Sequence, residues 1–254
     1  MSTEIKDLNV YNAGMFNSLK DKLFFINELK EIPKTFFDFG CGDGSLISVV
    51  KNLIPESCIF GYDSSDQMCD IARNKNISVY NNFDYFSDII AVYRDKSALI
   101  LSSVIHEIYS YNSETNKTID QFWSLINSKN VKTIIVRDMM VSKSSDRCAN
   151  SFIVPEKYED LYESYCTEWG EISTQKDLIH FLLKYRYTVN WDREVKENYL
   201  PIYIEDFLRQ MDESCYRLDY FCKYQLPFLS KCWKEDFNII IPDTTHVKCI
   251  FTRK

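Results

Sequence analysis

The residues best able to do chemistry are the run Asp38-Phe39-Gly40-Cys41-Gly42-Asp43-Gly44, the acid Asp63 and the pair His106-Glu107. Three of the chain's six glycines fall within five positions of that run, directly after an apolar stretch that starts at Thr35. Glycine so dense permits φ > 0 and lets backbone approach a ligand where a Cβ would collide. Ser45-Leu46-Ile47-Ser48-Val49-Val50 then reads as the opening of a helix, so the loop delivers a bound group to a helix N-terminus. The dinucleotide fingerprint G-x-G-x-x-G would need glycine at Ser45. The chain instead has G-x-G-x-G, with Asp38 two positions before the first glycine. A carboxylate so close to the loop repels a pyrophosphate and attracts an ammonium or sulfonium. A glycine turn with no ligand is the plain alternative.

A second apolar strand, Ser57-Cys58-Ile59-Phe60-Gly61-Tyr62-Asp63, ends in an acid 23 residues after Gly40. Nucleotide-binding α/β folds place a carboxylate at this distance to hold two ribose hydroxyls. An Asp before Ser64-Ser65-Asp66 is also an ordinary helix-start residue. Further on, Ser97-Ala98-Leu99-Ile100-Leu101-Ser102-Ser103 runs into Val104-Ile105-His106-Glu107, which puts His106 at the carboxyl edge of the sheet, where open α/β folds bind ligands. His106 is a base, a substrate hydrogen-bond partner or a packed side chain, and the sequence leaves the three open.

From the glycine loop to Asp138 the chain resembles the class I S-adenosylmethionine (SAM) dependent methyltransferases, whose first motif has the pattern of Asp38 to Gly44. The resemblance implies a SAM cofactor with Gly40, Gly42 and Gly44 around its methionine part and Asp38 near its ammonium. Ser102 or Ser103 would present a backbone carbonyl to the same ammonium. Asp63 would hold the ribose with Ser64 beside it, Met68 would lie near the adenine, and Asn82 and Phe83 would contact it. Tyr11 and Met15, on a helix before the first strand, would fold over the pocket. If the acceptor must lose a proton, His106 is the first candidate base and Glu107 the second.

The elements that must position these residues alternate as βαβα. The expected fold is a doubly wound, mostly parallel seven-stranded α/β sheet with an antiparallel last strand, plus a helical, aromatic-rich insertion after the fifth strand. Amphipathic spacing predicts one or two helices over about 9–29. Strands are predicted over 77–80, 131–138, 216–224 and 246–252, and helices over 115–128, 156–166, 173–185, 205–211 and 228–236. The organisation reads as an N-terminal helical cover (1–33), a SAM-binding core (34–142), a helical insertion or substrate lid (143–212) and terminal strands completing the sheet (213–254). Arg137 and Asp138, at the end of the fifth strand, are expected to pair with each other.

A net charge of −7 argues against general binding to nucleic acid or an acidic membrane, although a local basic cleft can sit inside an acidic average. Residues 143–237 hold 13 Lys/Arg and 18 Asp/Glu, which favours a small-molecule acceptor over RNA. Nine cysteines without a C-x-x-C pair point to neither disulfides nor a metal site, and fit a reducing cytoplasm. No apolar run approaches membrane-spanning length. The expected activity is methyl transfer to an O or N acceptor. A nicotinamide oxidoreductase and a non-catalytic SAM-fold binding module are the competing classes. The sequence carries no reading of oligomeric state.

Overall fold

The computed structural model describes residues 18–111, 116–128 and 131–254. Seven strands form one sheet: β1 (Thr35–Phe39), β2 (Cys58–Tyr62), β3 (Ser78–Tyr80), β4 (Ser97–Ser102), β5 (Thr133–Met139), β6 (Tyr216–Tyr224) and β7 (His246–Arg253). Their spatial order is β3-β2-β1-β4-β5-β7-β6. Pairs from β3 to β5 are parallel, and β7 lies antiparallel between β5 and β6. This is the doubly wound sheet with an inverted last strand that the sequence leads one to expect.

Helices α1 (Leu19–Lys22) and α2 (Phe25–Glu28) precede β1, and α3 (Ser45–Leu53), α4 (Asp66–Asn74) and α5 (Phe83–Tyr93) connect the first four strands. Short side chains start them: Ser65 Oγ accepts the Met68 N–H and Asn82 Oδ1 accepts the Tyr85 N–H. Helices α6 (Ile105–Tyr111) and α7 (Asn116–Ser128) lead to β5. Of the one or two helices expected over 9–29, the described part holds these two short ones, and Tyr11 and Met15 lie outside the described residues.

Strand alternation loads both faces of the sheet. Phe37, Leu99, Leu101, Ile134 and Val136 pack on one side with Phe86, Ile105, Phe122 and Trp123. Phe36, Ala98, Ile100 and Ile135 pack on the other with Phe25, Leu46 and Val50. The insertion carries α8 (Glu159–Trp169), α9 (Gln175–Lys184), α10 (Trp191–Glu194) and α11 (Ile204–Gln210), and α12 (Pro227–Phe237) joins β6 to β7. A capping box between Thr174 and Asp177 starts α9. The apolar cluster around Tyr165, Phe181 and Tyr185 also takes in Trp233, Phe237 and Ile239, so the insertion shares its core with the residues that follow β6. No described helix is long and apolar enough to cross a membrane.

Candidate functional site

The chain leaves β1 for β2 and β3 on one side, then returns to β4 on the other, so the order reverses between β1 and β4. The crevice above the carboxyl ends of these two strands is where such sheets bind ligands. The glycine loop stands on one wall of it. Gly40 has φ +74°, and a Cβ there would come within 2.6 Å of Val104 Cγ2 on the opposite wall. Only glycine fits this position in both conformation and space.

Asp63, at the end of β2, is braced against the loop. Its Oδ2 accepts the Gly42 N–H at 2.8 Å and its Oδ1 accepts the Ser65 N–H at 2.9 Å. Each oxygen keeps a further acceptor position, and two fixed acceptors side by side suit a vicinal diol. Burial raises the Asp63 carboxyl, against the lowering effect of these two N–H bonds. Ser64 beside it is exposed, Met68 is buried, Asn82 caps α5, and Phe83 meets the rings of Phe39 and Tyr62 edge-on.

Asp38 is buried under the loop and pushed up to about 7 by burial, with Lys22 opposing and Asp63 adding to the rise. Lys22 on α1 is buried as well and is lowered to about 8, because burial and Arg137 outweigh the attraction of Asp38, Asp138 and Glu107. The crevice therefore gathers carboxylates beside one lysine. Ser102 Oγ is buried here without a hydrogen-bond partner among the described residues. Ser103, at φ 58°, turns the chain from β4 toward α6, its N–H donating to the Arg137 carbonyl at 2.7 Å.

The second wall holds His106, with both ring nitrogens engaged: Nδ1 lies 2.6 Å from Asp138 Oδ1 and Nε2 lies 3.2 Å from Glu197 Oε1. Burial opposes charge on the ring, yet Asp138 and Glu197 raise it well above its ordinary value. Two carboxylates thus flank the ring and favour its charged form, with neither nitrogen left free. Asp138 Oδ2 also accepts the Val104 and Ile105 N–H groups at 3.1 and 2.7 Å, capping α6. The expected Arg137–Asp138 pair does not form. Neighbours on a strand point to opposite faces, and Arg137 instead meets Asp21 at 2.8 Å and Ser103 Oγ at 2.9 Å.

Glu107 is pushed up to about 7, first by burial and then by Glu197, while His106 and Arg193 pull it down. Its side chain is 32% exposed, in contrast to His106 and Glu197. Arg193 Nη2 lies 3.6 Å from Glu107 and 3.4 Å from Glu197. One ligand atom each of His106, Glu107 and Glu197 falls within 4.8 Å of the others, a spacing that a divalent cation spans. The Arg193 guanidinium already supplies positive charge at that point.

Nothing in the sequence links Glu197 and Arg193 to His106, since they lie about ninety residues from it in the insertion. The segment carrying them is fixed by Lys184, fully buried, whose Nζ donates to the carbonyls of Glu194 at 2.8 Å, Val195 at 3.3 Å and Glu197. Burial lowers Lys184 to about 7, against the raising effect of Glu197 and Glu194. Ser110 Oγ ties α6 to the same segment, accepting the Asn198 N–H and donating to its carbonyl, both at 2.9 Å.

No protein-family model matches the sequence, and no curated protein matches it. Solved structures do. The chain aligns over 98% of its length with 100% of a SAM dependent methyltransferase from Archaeoglobus fulgidus, at 13% identity and a TM-score of 0.51. It aligns over 94% with 84% of the plantazolicin methyltransferase BpumL in complex with a pentazolic desmethylPZN analog and S-adenosylhomocysteine (SAH), at 11% identity and a TM-score of 0.50. It aligns over 94% with 55% of the pyocyanin biosynthetic protein PhzM, at 10% identity and a TM-score of 0.51. At such identities the likeness speaks for architecture: the chain has the Rossmann-like fold of the class I SAM-dependent methyltransferases.

Proposed function

We propose that the protein is a SAM-dependent methyltransferase acting on an oxygen or nitrogen of a small molecule. The observation that carries this reading is the braced carboxylate of Asp63 against a positive-φ glycine loop at the point where strand order reverses. Asp38, Lys22 and the unsatisfied Ser102 hydroxyl beside that loop suit a zwitterionic amino-acid moiety. The residues fit SAM, and the SAH in the BpumL complex supports the same cofactor. Gly40, Gly42 and Gly44 would lie along its methionine part, Asp63 and Ser64 at the ribose, and Met68, Asn82 and Phe83 around the adenine. When bound, SAM supplies a methyl group on a sulfonium.

Glu107 is assigned as the base. A carboxylate near pH 7, about one-third exposed, can take the proton of an acceptor O–H or N–H. His106 has both ring nitrogens engaged by Asp138 and Glu197, which leaves neither free to take an acceptor proton. It positions Glu197, and the insertion segment 193–199 closes the acceptor side. Confinement between this segment and α6 suits a small acceptor, held in attack geometry by its surroundings. The test is transfer of labelled methyl from SAM to a panel of small hydroxyl and amine compounds. Label should enter at least one of them, whereas label entering RNA alone would overturn the small-acceptor reading.

A further inference from the structure

The sheet edge opposite the glycine loop holds a second cavity, of about 1020 Å³. The segments leading into β1, β4 and β5, the start of β6 and the end of β7 surround it. Eight lysines and arginines line it against four carboxylates, in a chain whose net charge is −7. One of those carboxylates, Asp219, is already engaged by Arg217 at 2.6 Å and Lys30 at 3.5 Å. Lys34, Arg94, Lys96, Lys132 and Arg253 form no ion pair among the described residues.

Backbone contacts tie together the loops that carry these cations. The Lys34 N–H donates to the Lys96 carbonyl at 2.8 Å, which locks the loop before β1 to the loop before β4. Lys96 sits at φ 62°, and Lys132 Nζ donates to the Arg253 carbonyl at 3.0 Å. Arg253 Nη1 is buried with no hydrogen-bond partner among the described residues. A buried guanidinium N–H without an acceptor is costly unless a ligand supplies one.

We propose that this cavity binds a compact polyanion, a small molecule bearing two or more adjacent phosphate groups. Arginine forks and lysine ammoniums in one concavity match phosphate oxygens. The volume is that of a small-molecule pocket, and among the described residues no aromatic side chain lines it on which the bases of a nucleic-acid strand could stack. The site is on the other edge of the sheet from the methyl-transfer crevice and stands independently of that reading.

Inorganic tripolyphosphate titrated calorimetrically into the full chain is expected to bind one to one, with affinity falling as salt rises. The Arg94→Gln/Lys96→Gln variant, at two exposed positions, should weaken that binding by about tenfold or more. Its melting temperature and SAM affinity should stay unchanged. No saturable binding, or binding indifferent to the variant, overturns the proposal. Binding confined to an RNA oligonucleotide, with none to tripolyphosphate, overturns the compact ligand. A second variant, Lys132→Gln, guards against one loop misreporting and should weaken binding in the same direction.

Discussion

The proposed roles of Glu107 as base and His106 as positioning residue can be separated by mutation. Glu107→Gln should lower turnover by roughly 10²–10⁴-fold, the usual contribution of a general base, and leave SAM affinity intact. With Glu107 near 7, the wild-type rate should rise with pH through that value, and this acidic limb should vanish in the variant. An unchanged profile removes Glu107 from the reaction. The pair behind it governs stability. His106 is raised in the folded state, so its contribution is fully present below the unfolded value near 6.5 and is lost as pH rises through the folded one. Asp138 is depressed, because His106 and the Met139 N–H outweigh burial; its contribution is present above about 4 and lost as pH falls through its folded value. Asp138→Ala removes the carboxylate partner of the buried His106 ring and uncaps α6, and should cost on the order of 3–5 kcal/mol. Urea unfolding at pH 6 checks this, and a loss under 1 kcal/mol would contradict the pairing.

Secondary elements were legible where one physical pattern dominated. Both β6 and β7 start where alternation predicts, and α3 fills the span from Ser45 to Leu53 that follows the glycine turn. What stayed hidden depends on folding at a distance. Helix α6 is capped by Asp138, 33 residues on from Ile105, and the partners of His106 and Arg137 come from other elements. Gly40 links the two kinds of information, since its spacing is visible in sequence but its contact with Val104 is not. Gly40→Ala should destabilise the protein by about 1–3 kcal/mol through its left-handed φ alone. In a Val104→Ala background the clash is relieved, so the cost of the same change should shrink without vanishing; identical costs in both backgrounds would deny the contact. Lys184→Met tests how the insertion is fixed. Three carbonyls lose their donor, so segment 193–199 should loosen, raising KM for the acceptor more than it lowers kcat. A variant with wild-type KM would show that the segment does not form the acceptor side.

Across the whole molecule, charge is partitioned by sheet edge. The carboxyl edge concentrates acids around one crevice, Asp38, Asp138 and Glu197 buried and Asp63 and Glu107 half-buried, while the opposite edge gathers lysines and arginines, five of them without an ion pair among the described residues. The acidic edge suits a cationic cofactor and turns away a phosphate backbone. The insertion completes that edge by lending Arg193 and Glu197, which makes one site from residues of the sheet and of the chain after β5. Everything at this site rests on the glycine loop and Asp63 holding SAM. Calorimetric titration of SAM into the wild type and into Asp63→Ala tests that most directly. The account predicts saturable one-to-one binding that the variant weakens by about 2–3 kcal/mol, the worth of hydrogen bonds to a charged group. Equal affinity in the two proteins, or binding of NAD in place of SAM, would contradict it.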